Sequence, residues 1–342
     1  MLNGKIVIEN HVPFIKGLLE PLAQVEYLPA QDITSQAVKD ACALFVRTRT
    51  HCDAQLLKGS QVQFIGSPTI GTDHIDLDYC ADSGIEVANA PGCNAPAVAQ
   101  WTLASIALWL EKEHLQPAQV TLGVVGVGHV GSIVARWAEQ CGIQVLRNDP
   151  PRALAEGNEG FANLEELQEQ CHIITFHTPL THDGNFPTWH LCDKHFLDSA
   201  HQCRLVLNAA RGAVCDTQAL LNWHGNLALD CWENEPRINE LLLHKAFIAT
   251  PHIAGYSIEG KMRGTSMVID RFNRHFGSHI KATTPLAPAS GAASVTLHEI
   301  LNSYNPLTDT ARLKDGATHF EALRNNYALR NEFTGPQTSQ QP

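Results

Sequence analysis

Short apolar runs alternate with amphipathic stretches along most of the chain, a pattern that predicts β-strands joined by crossover helices. In the first hundred residues the runs predict five strands, at Lys5–Glu9, Val25–Leu28, Ala41–Val46, Val62–Ile65 and Ile85–Ala88. The stretches between them predict helices, for example over residues 13–22 and over Leu77–Ser83, which Gly84 follows as a stop signal. Strands and helices in this alternation indicate a parallel sheet.

A long helix and a second alternating series come next. The helix is predicted over Ala95–Glu113, with Pro96 in its first turn, where proline is tolerated. Further apolar runs predict more strands, at Val120–Val125, Ile143–Leu146, Ile173–His177, Leu205–Asn208 and Leu227–Cys231. Helical spacing recurs at Val130–Gln140, Leu164–Gln170 and 255–276. The predicted fold class is therefore α/β, with two doubly wound parallel sheets.

The composition of the chain changes after about residue 283. Residues 283–294 read TTPLAPASGAAS, which is the composition of a linker. A short block follows, and its last part, His319–Phe333, has amphipathic helical spacing. Residues 334–342 are rich in Gln, Ser, Thr and Pro, so we expect a disordered tail.

Charge and composition exclude several classes of partner. Lys and Arg number 24 and Asp and Glu number 35, so the 342-residue chain carries a net charge of −11. Binding to nucleic acid or to an anionic membrane needs a basic footprint, so we expect neither partner. No stretch approaches the roughly 18 uncharged apolar residues of a membrane span. The short, charged apolar run at the N-terminus predicts no secretory signal, so we expect a cytoplasmic protein.

The ten cysteines and eighteen histidines show no ligand spacing. The cysteines are scattered without a C-x-x-C pair, which is typical of small buried hydrophobic residues in a reducing compartment. No H-E-x-x-H or similar pattern occurs among the histidines, so we predict no metal.

The strongest chemical motif is GVGHVG at Gly126–Gly131. It follows the predicted strand TLGVV and opens a helix, which is the context that a dinucleotide-binding loop requires. The uncapped helix N-terminus would bind a pyrophosphate. Asp149 lies about 20 positions further on, where a carboxylate can bind the adenosine ribose. This acidic partner predicts NAD rather than NADP, although Arg147 and Arg152 flank it and temper the preference.

Three polar residues follow predicted strand ends further along: Arg211, Glu235 and His252. Ligands bind at the carboxyl ends of parallel strands, so these side chains are candidates for one site. An arginine can clamp a carboxylate with two hydrogen bonds, a histidine can exchange a proton near neutral pH, and a carboxylate can orient that histidine. Each residue alone is weak evidence. Their order behind a dinucleotide loop predicts a dehydrogenase.

Over about residues 1–280 the sequence resembles the D-isomer-specific 2-hydroxyacid dehydrogenase family. The matching passages are GTDHID at 71–76, APGCNAPAVAQW at 90–101, GVVGVGHVG at 123–131, NDPPRA at 148–153, TFHTPLTHDG at 175–184, NAARGAVCDTQALL at 208–221, LDCWENEP at 229–236 and ATPHIAGYSIEGKMRGTSMV at 249–268. The stretches PGCNA, DPPRA, HIAGYSIEGK and FEALRNNYALRNEF are most similar to one subfamily. Its members act on a phosphorylated 2-hydroxy acid in vitamin B6 biosynthesis.

The resemblance implies a role for each matching position. His252 would be the acid/base, Glu235 its partner, and Arg211 the group that holds the substrate carboxylate and C2 oxygen. The implied cofactor-binding residues are Gly126, Gly128, His129, Val130, Gly131, Asp149, Thr178, Ala209, Ala210, Arg211, Asp230 and Gly255. The implied substrate-binding residues are Thr48, Ser67 and Tyr256. Basic candidates for the substrate phosphate are Arg47, Arg49, Lys261 and Arg263.

The resemblance also implies an interrupted domain order. Residues 1–95 and 254–283 would form a flavodoxin-like substrate domain, and residues 96–253 a Rossmann domain that binds NAD. Residues 284–333 would form a small α+β domain through which two copies of the chain make a homodimer. The segment 236–283 is the only net basic part of the chain, which is compatible with an anionic small substrate.

Two other functions stay open at this point. One is a different enzyme of the same family, which acts on phosphoglycerate, hydroxypyruvate or glyoxylate. The other is a non-catalytic scaffold that senses NAD. Activity on a panel of D-2-hydroxy acids separates all three, because a scaffold would bind NAD and oxidise none of them.

Overall fold

Two parallel β-sheets organise the chain in the computed structural model, which describes Leu2 and residues 4–285 and 295–333. The chain separates into two units. The first contains the described residues of Met1–Asn94 and Ser257–Ala287, and the second those of Ala95–Tyr256 and Pro288–Pro342. The strands are, in chain order, β1 (Lys5–Glu9), β2 (Val25–Leu28), β3 (Ala41–Phe45), β4 (Phe64–Gly66), β5 (Glu86–Ala88), β6 (Thr121–Val125), β7 (Gln144–Asn148), β8 (Ile173–Phe176), β9 (Leu205–Asn208), β10 (Asn226–Leu229) and β11 (Ile248–Ala249).

The described residues contain fourteen α-helices in all. They are α1 (Ser35–Val38), α2 (Ala54–Leu57), α3 (Leu77–Asp82), α4 (Ala95–Glu113), α5 (His129–Gln140), α6 (Pro150–Glu156), α7 (Leu164–Gln170), α8 (Lys194–Ser199), α9 (Thr217–Asn222), α10 (Glu240–Lys245), α11 (Ile258–Phe276), α12 (Leu297–Ser303), α13 (Leu307–Asp315) and α14 (Phe320–Asn325). Five of the predicted helices, α3, α4, α5, α7 and α11, begin and end within three residues of where the apolar periodicity places them. Short 3₁₀ turns lie at Ala30–Asp32, Pro117–Gln119, Gly212–Val214 and Ala317–His319. None of the described helices is both long and apolar enough to cross a membrane.

The first unit contains a five-stranded sheet in the order β2-β1-β3-β4-β5, and all of its strand pairs are parallel. This order is that of a flavodoxin-like, doubly wound sheet. One face packs against α11, where the rings of Phe45, Phe64 and Phe272 contact each other at 5.5–5.9 Å between centroids. A second apolar cluster covers the other face.

The second unit contains a six-stranded sheet in the order β11-β10-β9-β8-β6-β7, again entirely parallel. The chain leaves β6 to one side for β7 and returns to the other side for β8. The strand order therefore reverses between β6 and β8, and such a switch point opens a crevice for ligands at the carboxyl ends of the strands. The predicted class of two parallel-sheet α/β domains is confirmed.

The C-terminal helices belong to the second unit and pack against its other helices and its sheet. Ile300 of α12 and Tyr304 share an apolar cluster with Trp101 and Trp109 of α4. On the edge of the sheet, the backbone N–H of Ala249 in β11 donates to the hydroxyl of a threonine in α13, at 3.0 Å. The described residues 295–333 form helices and no strand, so the predicted α+β class is not seen there. The domain boundaries and the dimerisation role stay predictions, and the predicted tail lies outside the described residues.

The helix predicted over residues 13–22 is wrong. The segment is a series of turns, in which Phe14 and Gly17 have φ angles of 55° and 87°. The carboxylate of Glu20 accepts hydrogen bonds from the backbone N–H groups of Gly17 (3.0 Å) and Leu19 (3.1 Å). The apolar residues of this segment are therefore buried without a helix. A side-chain carboxylate accepts hydrogen bonds from backbone N–H groups that would otherwise pair within a helix.

The second wrong helix is His319–Phe333, of which only α14 is helical. The chain after α14 is irregular and is held by tertiary contacts. Phe333 stacks edge-on against Trp137 with 5.3 Å between ring centroids, and Arg330 is bound to backbone carbonyl groups. These contacts outweigh the helical preference of the segment, since propensity alone is a weak determinant of structure.

Candidate functional site

The GVGHVG motif forms a tight loop between β6 and α5. Gly126 has a φ of 86°, and a Cβ atom on it would lie 2.8 Å from the carbonyl carbon of His177. A Cβ atom on Gly131 would lie 1.9 Å from the backbone oxygen of Gly126. Both positions therefore need glycine for the loop and the helix to pack closely. Gly128 differs, because a Cβ atom there would meet no protein atom within 4 Å.

The glycine loop ends at the N-terminus of α5. Gly128 is the residue before the helix, and no side chain caps the first N–H groups of the helix. Open space over Gly128 lets a ligand approach these donors. Unpaired N–H groups and the positive end of the helix dipole favour a phosphate, so the predicted residues His129, Val130 and Gly131 lie where a pyrophosphate would bind.

Asp149 follows β7 at the same edge of the sheet. Its carboxylate accepts hydrogen bonds from the backbone N–H groups of Val127 (2.8 Å) and Arg152 (3.1 Å). The first bond ties Asp149 to the glycine loop and the second caps α6. An ionised carboxylate has about four acceptor sites, so it retains capacity for ribose hydroxyl groups.

The two arginines beside Asp149 already have partners. Arg152 donates two hydrogen bonds to Glu156, each at 2.7 Å, and Arg147 pairs with Glu139 at 2.7 Å. Arg152 also donates to the backbone oxygen of Val127 at 2.6 Å. Both guanidiniums are already paired with glutamates, so neither is placed to bind the 2′-phosphate of NADP. This supports NAD over NADP.

Thr178 lies across the switch point, just after β8. A Cβ atom on Gly126 would lie 2.9 Å from its methyl carbon, so the threonine is next to the glycine loop. Its hydroxyl group is buried and has no hydrogen-bond partner among the described residues. Buried polar groups are nearly always paired, so an orphaned hydroxyl here fits a bound nucleotide. Burial lowers the pKa of the adjacent His177 to about 3, so that ring is neutral.

Asp230 holds the loop that carries His252. Its buried carboxylate accepts hydrogen bonds from the hydroxyl of Thr250 (2.6 Å) and from the N–H groups of Ile253 (2.8 Å) and Ala254 (3.0 Å). Burial raises the pKa of Asp230, and the charge of His252 and these hydrogen bonds oppose the rise. The sequence predicts a cofactor contact for Asp230. The structure adds a second task, since this side chain binds the hydroxyl of Thr250 before the histidine and two backbone N–H groups after it.

His252 and Glu235 form the predicted acid–base pair. Nδ1 of His252 lies 2.7 Å from Oε2 of Glu235, and Oε1 of Glu235 accepts from the N–H of Trp232 at 2.8 Å. Burial disfavours the charged carboxylate, but the charge and hydrogen bond of His252 outweigh it, so the pKa of Glu235 lies below its ordinary value. The φ of His252 is 56°, a strained conformation that the surrounding hydrogen bonds maintain. Within the described residues, Nε2 has no hydrogen-bond partner and can exchange a proton.

Arg211 follows β9 and lies on a loop that contacts the loop of the acid–base pair. The side chain of Asn208 donates to the backbone oxygen of Arg211 at 2.8 Å. A Cβ atom on Gly212 would lie 2.0 Å from the carbonyl carbon of Trp232, so the two loops touch backbone to backbone. Ala209 and Ala210 belong to the same turn. Arg211, Glu235 and His252 thus lie on loops that follow neighbouring strands.

The substrate residues predicted in the first unit have different surroundings. Thr48 is exposed on the loop after β3. Ser67 is fully buried, and its hydroxyl lies 2.7 Å from the hydroxyl of Thr69 and 3.2 Å from Nε2 of His74. The phosphate candidates also belong to the first unit: Arg47, Arg49, Lys261 and Arg263. Their roles stay predictions.

Arg330 of the C-terminal block is bound to the loop after His252, a contact that the sequence did not reveal. Its guanidinium donates to the backbone oxygens of Ile253 (3.0 Å) and Tyr256 (3.1 Å), and to that of Ala254. The predicted cofactor residue Gly255 lies inside this bound turn. Five donors in a planar fork suit an arginine to bind several carbonyls at once. Arg330 therefore binds the carbonyl oxygens of the same turn whose N–H groups bind Asp230.

Arg324 of α14 also lies at the site. Its Nε donates to the hydroxyl of Tyr256 at 3.3 Å, and its Nη1 lies 3.8 Å from Oε2 of Glu235. The motif FEALRNNYALRNEF, which the family resemblance links to dimerisation, contains both arginines. Nothing in its spacing indicates a contact with residues about seventy positions earlier.

Two clusters in the described part of the chain have the composition of a metal site: Cys231, Glu235 and His252, and His190, Asp216 and Glu233. Burial raises the pKa of Cys231 well above its ordinary value, and only a thiolate is a good ligand. Glu233 already accepts hydrogen bonds from His190 (2.8 Å) and from the N–H of Thr217 (2.9 Å). Hydrogen bonding accounts for both clusters, and the predicted absence of a metal stays a prediction.

Gly128→Ala tests the cofactor site without disturbing the fold. The new methyl group meets no protein atom, so we expect an unchanged melting temperature. A bound pyrophosphate would occupy that space, so the Kd for NAD should rise at least about tenfold, which corresponds to about 1.4 kcal/mol. Calorimetric titration with NAD measures it. Leu241→Ala on α10, where the leucine is 73% exposed, is the control. An unchanged Kd in Gly128→Ala would place the nucleotide elsewhere.

Known proteins resemble this chain over nearly its whole length. Residues 100–254 match the family model described as D-isomer specific 2-hydroxyacid dehydrogenase, NAD binding domain. The erythronate-4-phosphate dehydrogenase of Bacteroides thetaiotaomicron is 46% identical over 339 residues, which cover 96% of this chain and 97% of that protein. That of Escherichia fergusonii is 38% identical over 351 residues, covering 96% and 92%. The solved structure of the TT0316 protein from Thermus thermophilus has a TM-score of 0.68 and 25% identity, covering 83% of this chain and 100% of that one.

Proposed function

We propose a function on one premise: the chain belongs to the D-isomer specific 2-hydroxyacid dehydrogenase family, in the branch of the erythronate-4-phosphate dehydrogenases. The reaction is the NAD-dependent oxidation of 4-phospho-D-erythronate to 2-oxo-3-hydroxy-4-phosphobutanoate, a step in pyridoxine 5′-phosphate biosynthesis. The observation that carries the proposal is the hydrogen-bonded pair of His252 and Glu235, 2.7 Å apart, next to the loop of Arg211 and at the same sheet edge as the dinucleotide loop.

The oxidation breaks two bonds: a hydride leaves C2 of the hydroxy acid, and a proton leaves the hydroxyl oxygen on C2. NAD supplies the hydride acceptor when it is bound. His252 receives the proton at Nε2, because Nδ1 is bound to Glu235. Glu235 carries its negative charge through the neutral pH range and stabilises the imidazolium that results. The carbon–oxygen bond becomes a carbonyl, and in the reverse reaction His252 returns the proton.

Arg211 supplies the second requirement, which is orientation. A guanidinium can bind the C1 carboxylate of the substrate with two parallel hydrogen bonds and can polarise the C2 oxygen as it becomes a carbonyl. Asp230 and Arg330 both bind the turn that directly follows His252, Asp230 at backbone N–H groups and Arg330 at backbone carbonyl oxygens, so the base is fixed before the substrate arrives. Holding reacting groups in position removes a large part of the entropic cost of the reaction.

The proposal is tested by following NADH formation at 340 nm with the purified chain and NAD. The substrates are 4-phospho-D-erythronate, 3-phospho-D-glycerate, D-glycerate and D-lactate. We expect 4-phospho-D-erythronate to give the highest kcat/KM. A higher value with 3-phospho-D-glycerate would assign a different enzyme of the family. Binding of NAD without oxidation of any of these acids would indicate a non-catalytic protein.

We also propose that the protein works in the cytoplasm as a homodimer that is joined through the C-terminal domain predicted at residues 284–333. All ten cysteines lie in the described part of the chain and none forms a disulfide, which supports a reducing compartment. Light scattering coupled to size-exclusion chromatography tests the dimer. The mass of one 37.4 kDa chain at micromolar concentration would contradict it.

A further inference from the structure

Arg324 reaches the active site from the C-terminal block, and the catalytic mechanism assigns it no role. It lies on α14, and its side chain is 27% exposed. Its Nε donates to the hydroxyl of Tyr256 at 3.3 Å, and its Nη1 lies 3.8 Å from the Glu235 oxygen that is bound to His252. A cation at this place adjoins the acid–base pair and a predicted substrate contact at the same time.

The terminal nitrogens of Arg324 donate no hydrogen bond within the described part of the chain. The Nη1 contact with Glu235, at 3.8 Å, is too long for a hydrogen bond. Within the residues that the structure describes, the one hydrogen bond of this guanidinium is the Nε bond to Tyr256. A guanidinium has five N–H donors in a fork that matches a phosphate. The donors of Nη1 and Nη2 are therefore available to an anion that enters the site.

Arg324 and Arg211 both adjoin the loop that carries Glu235. Gly212, next to Arg211, abuts the backbone of Trp232, whose N–H donates to Glu235, and Nη1 of Arg324 lies 3.8 Å from the other oxygen of that carboxylate. Both guanidiniums also oppose the rise in the pKa of the Cys231 thiol that burial causes. Two cations around one site are more than a simple 2-hydroxy acid needs, because its single carboxylate is bound by one of them. They fit a substrate that carries an anion at each end.

We propose that Arg324 is a substrate-binding residue that binds the phosphate group of the substrate, while Arg211 binds the carboxylate. The proposal rests on the proposed function, since it requires a phosphorylated 2-hydroxy acid. It assigns the C-terminal block a direct part in substrate selection, and it adds a phosphate ligand to the four candidates that the sequence suggested.

Arg324→Gln tests the assignment in the full-length, NAD-bound enzyme. Losing charge-assisted hydrogen bonds to a phosphate should raise the KM for 4-phospho-D-erythronate about 10- to 100-fold. kcat should stay within about threefold, because His252 and Glu235 keep their hydrogen bond. kcat/KM for D-erythronate, which lacks the phosphate, should not fall. The matched control is Arg312→Gln on α13, whose side chain is 62% exposed and should change neither constant.

Two results would overturn the assignment. A loss of kcat, equal for both substrates and accompanied by a shifted pH profile, would make Arg324 a positioning residue for Glu235. Unchanged constants would leave the phosphate to other residues. If Arg324→Gln does not fold, as judged by its melting temperature and NAD binding, Arg324→Lys gives the same comparison with a smaller expected rise in KM. Turnover of 4-phospho-D-erythronate by the unaltered chain tests the proposed function separately.

Discussion

His252→Gln is expected to lower kcat by about 10²–10⁴, because the substitution removes the group that takes the C2 hydroxyl proton. Glutamine is close to histidine in size and can still donate a hydrogen bond to Glu235, so the loop that Asp230 and Arg330 hold should keep its conformation. The Kd for NAD should therefore stay unchanged. Steady-state kinetics with 4-phospho-D-erythronate and calorimetric titration with NAD measure the two quantities.

The protein contains a matched control for this variant. His190 and Glu233 form a second histidine–carboxylate pair, at 2.8 Å and with similar exposure, in the same unit. His190→Gln should leave kcat within about threefold, since the His190–Glu233 pair has no proposed part in the reaction. A loss of kcat in His190→Gln equal to that in His252→Gln would mean that the effect is structural. Normal turnover in His252→Gln would refute the assignment of the base.

Arg211→Gln has the second largest expected effect. The carboxylate of the substrate would lose its charged partner, and breaking such a pair costs about 2–5 kcal/mol. The corresponding loss in kcat/KM is about 30- to several thousand-fold. Part of it should appear in kcat, because the guanidinium also polarises the C2 oxygen as the carbonyl forms. Arg211→Lys should recover only part of the loss, since an ammonium cannot form two parallel hydrogen bonds.

Arg237→Gln is the control for Arg211→Gln. Arg237 is exposed and lies shortly after the acid–base loop, so its removal changes the net charge equally without touching the site. We expect its kinetic constants to match those of the unaltered chain. If Arg211→Gln and Arg237→Gln lower kcat/KM to the same extent, the effect is a general one of charge, and Arg211 does not bind the carboxylate.

Much of the fold could be predicted because local patterns and long-range packing agree in it. Continuous apolar runs such as β3 and β9 are buried on both faces of a parallel sheet, which is what such runs indicate. The candidate site follows from the same topology. Arg211, Glu235 and His252 lie just beyond strand ends, and a parallel sheet brings all of its strand ends to one edge.

The failures have a common physical cause, which is that tertiary contacts replaced local ones. The turns of residues 13–22 are stabilised by the carboxylate of Glu20, and the irregular chain after α14 by Arg330 and Phe333. Apolar spacing carries no information about such bonds. The position of Arg324 at the site could not be predicted for the same reason. Its contact with Glu235 joins elements far apart in sequence, and only the packing of the C-terminal helices on the second unit brings them together.

One measurement tests the central claim most directly, namely that the protein transfers a hydride from C2 of 4-phospho-D-erythronate to NAD. The substrate is deuterated at C2 and oxidised by the purified chain with NAD, and the reduced cofactor is analysed by mass spectrometry. The account predicts a cofactor that carries the deuterium. A reduced cofactor without deuterium, or no reduced cofactor at all, would contradict it.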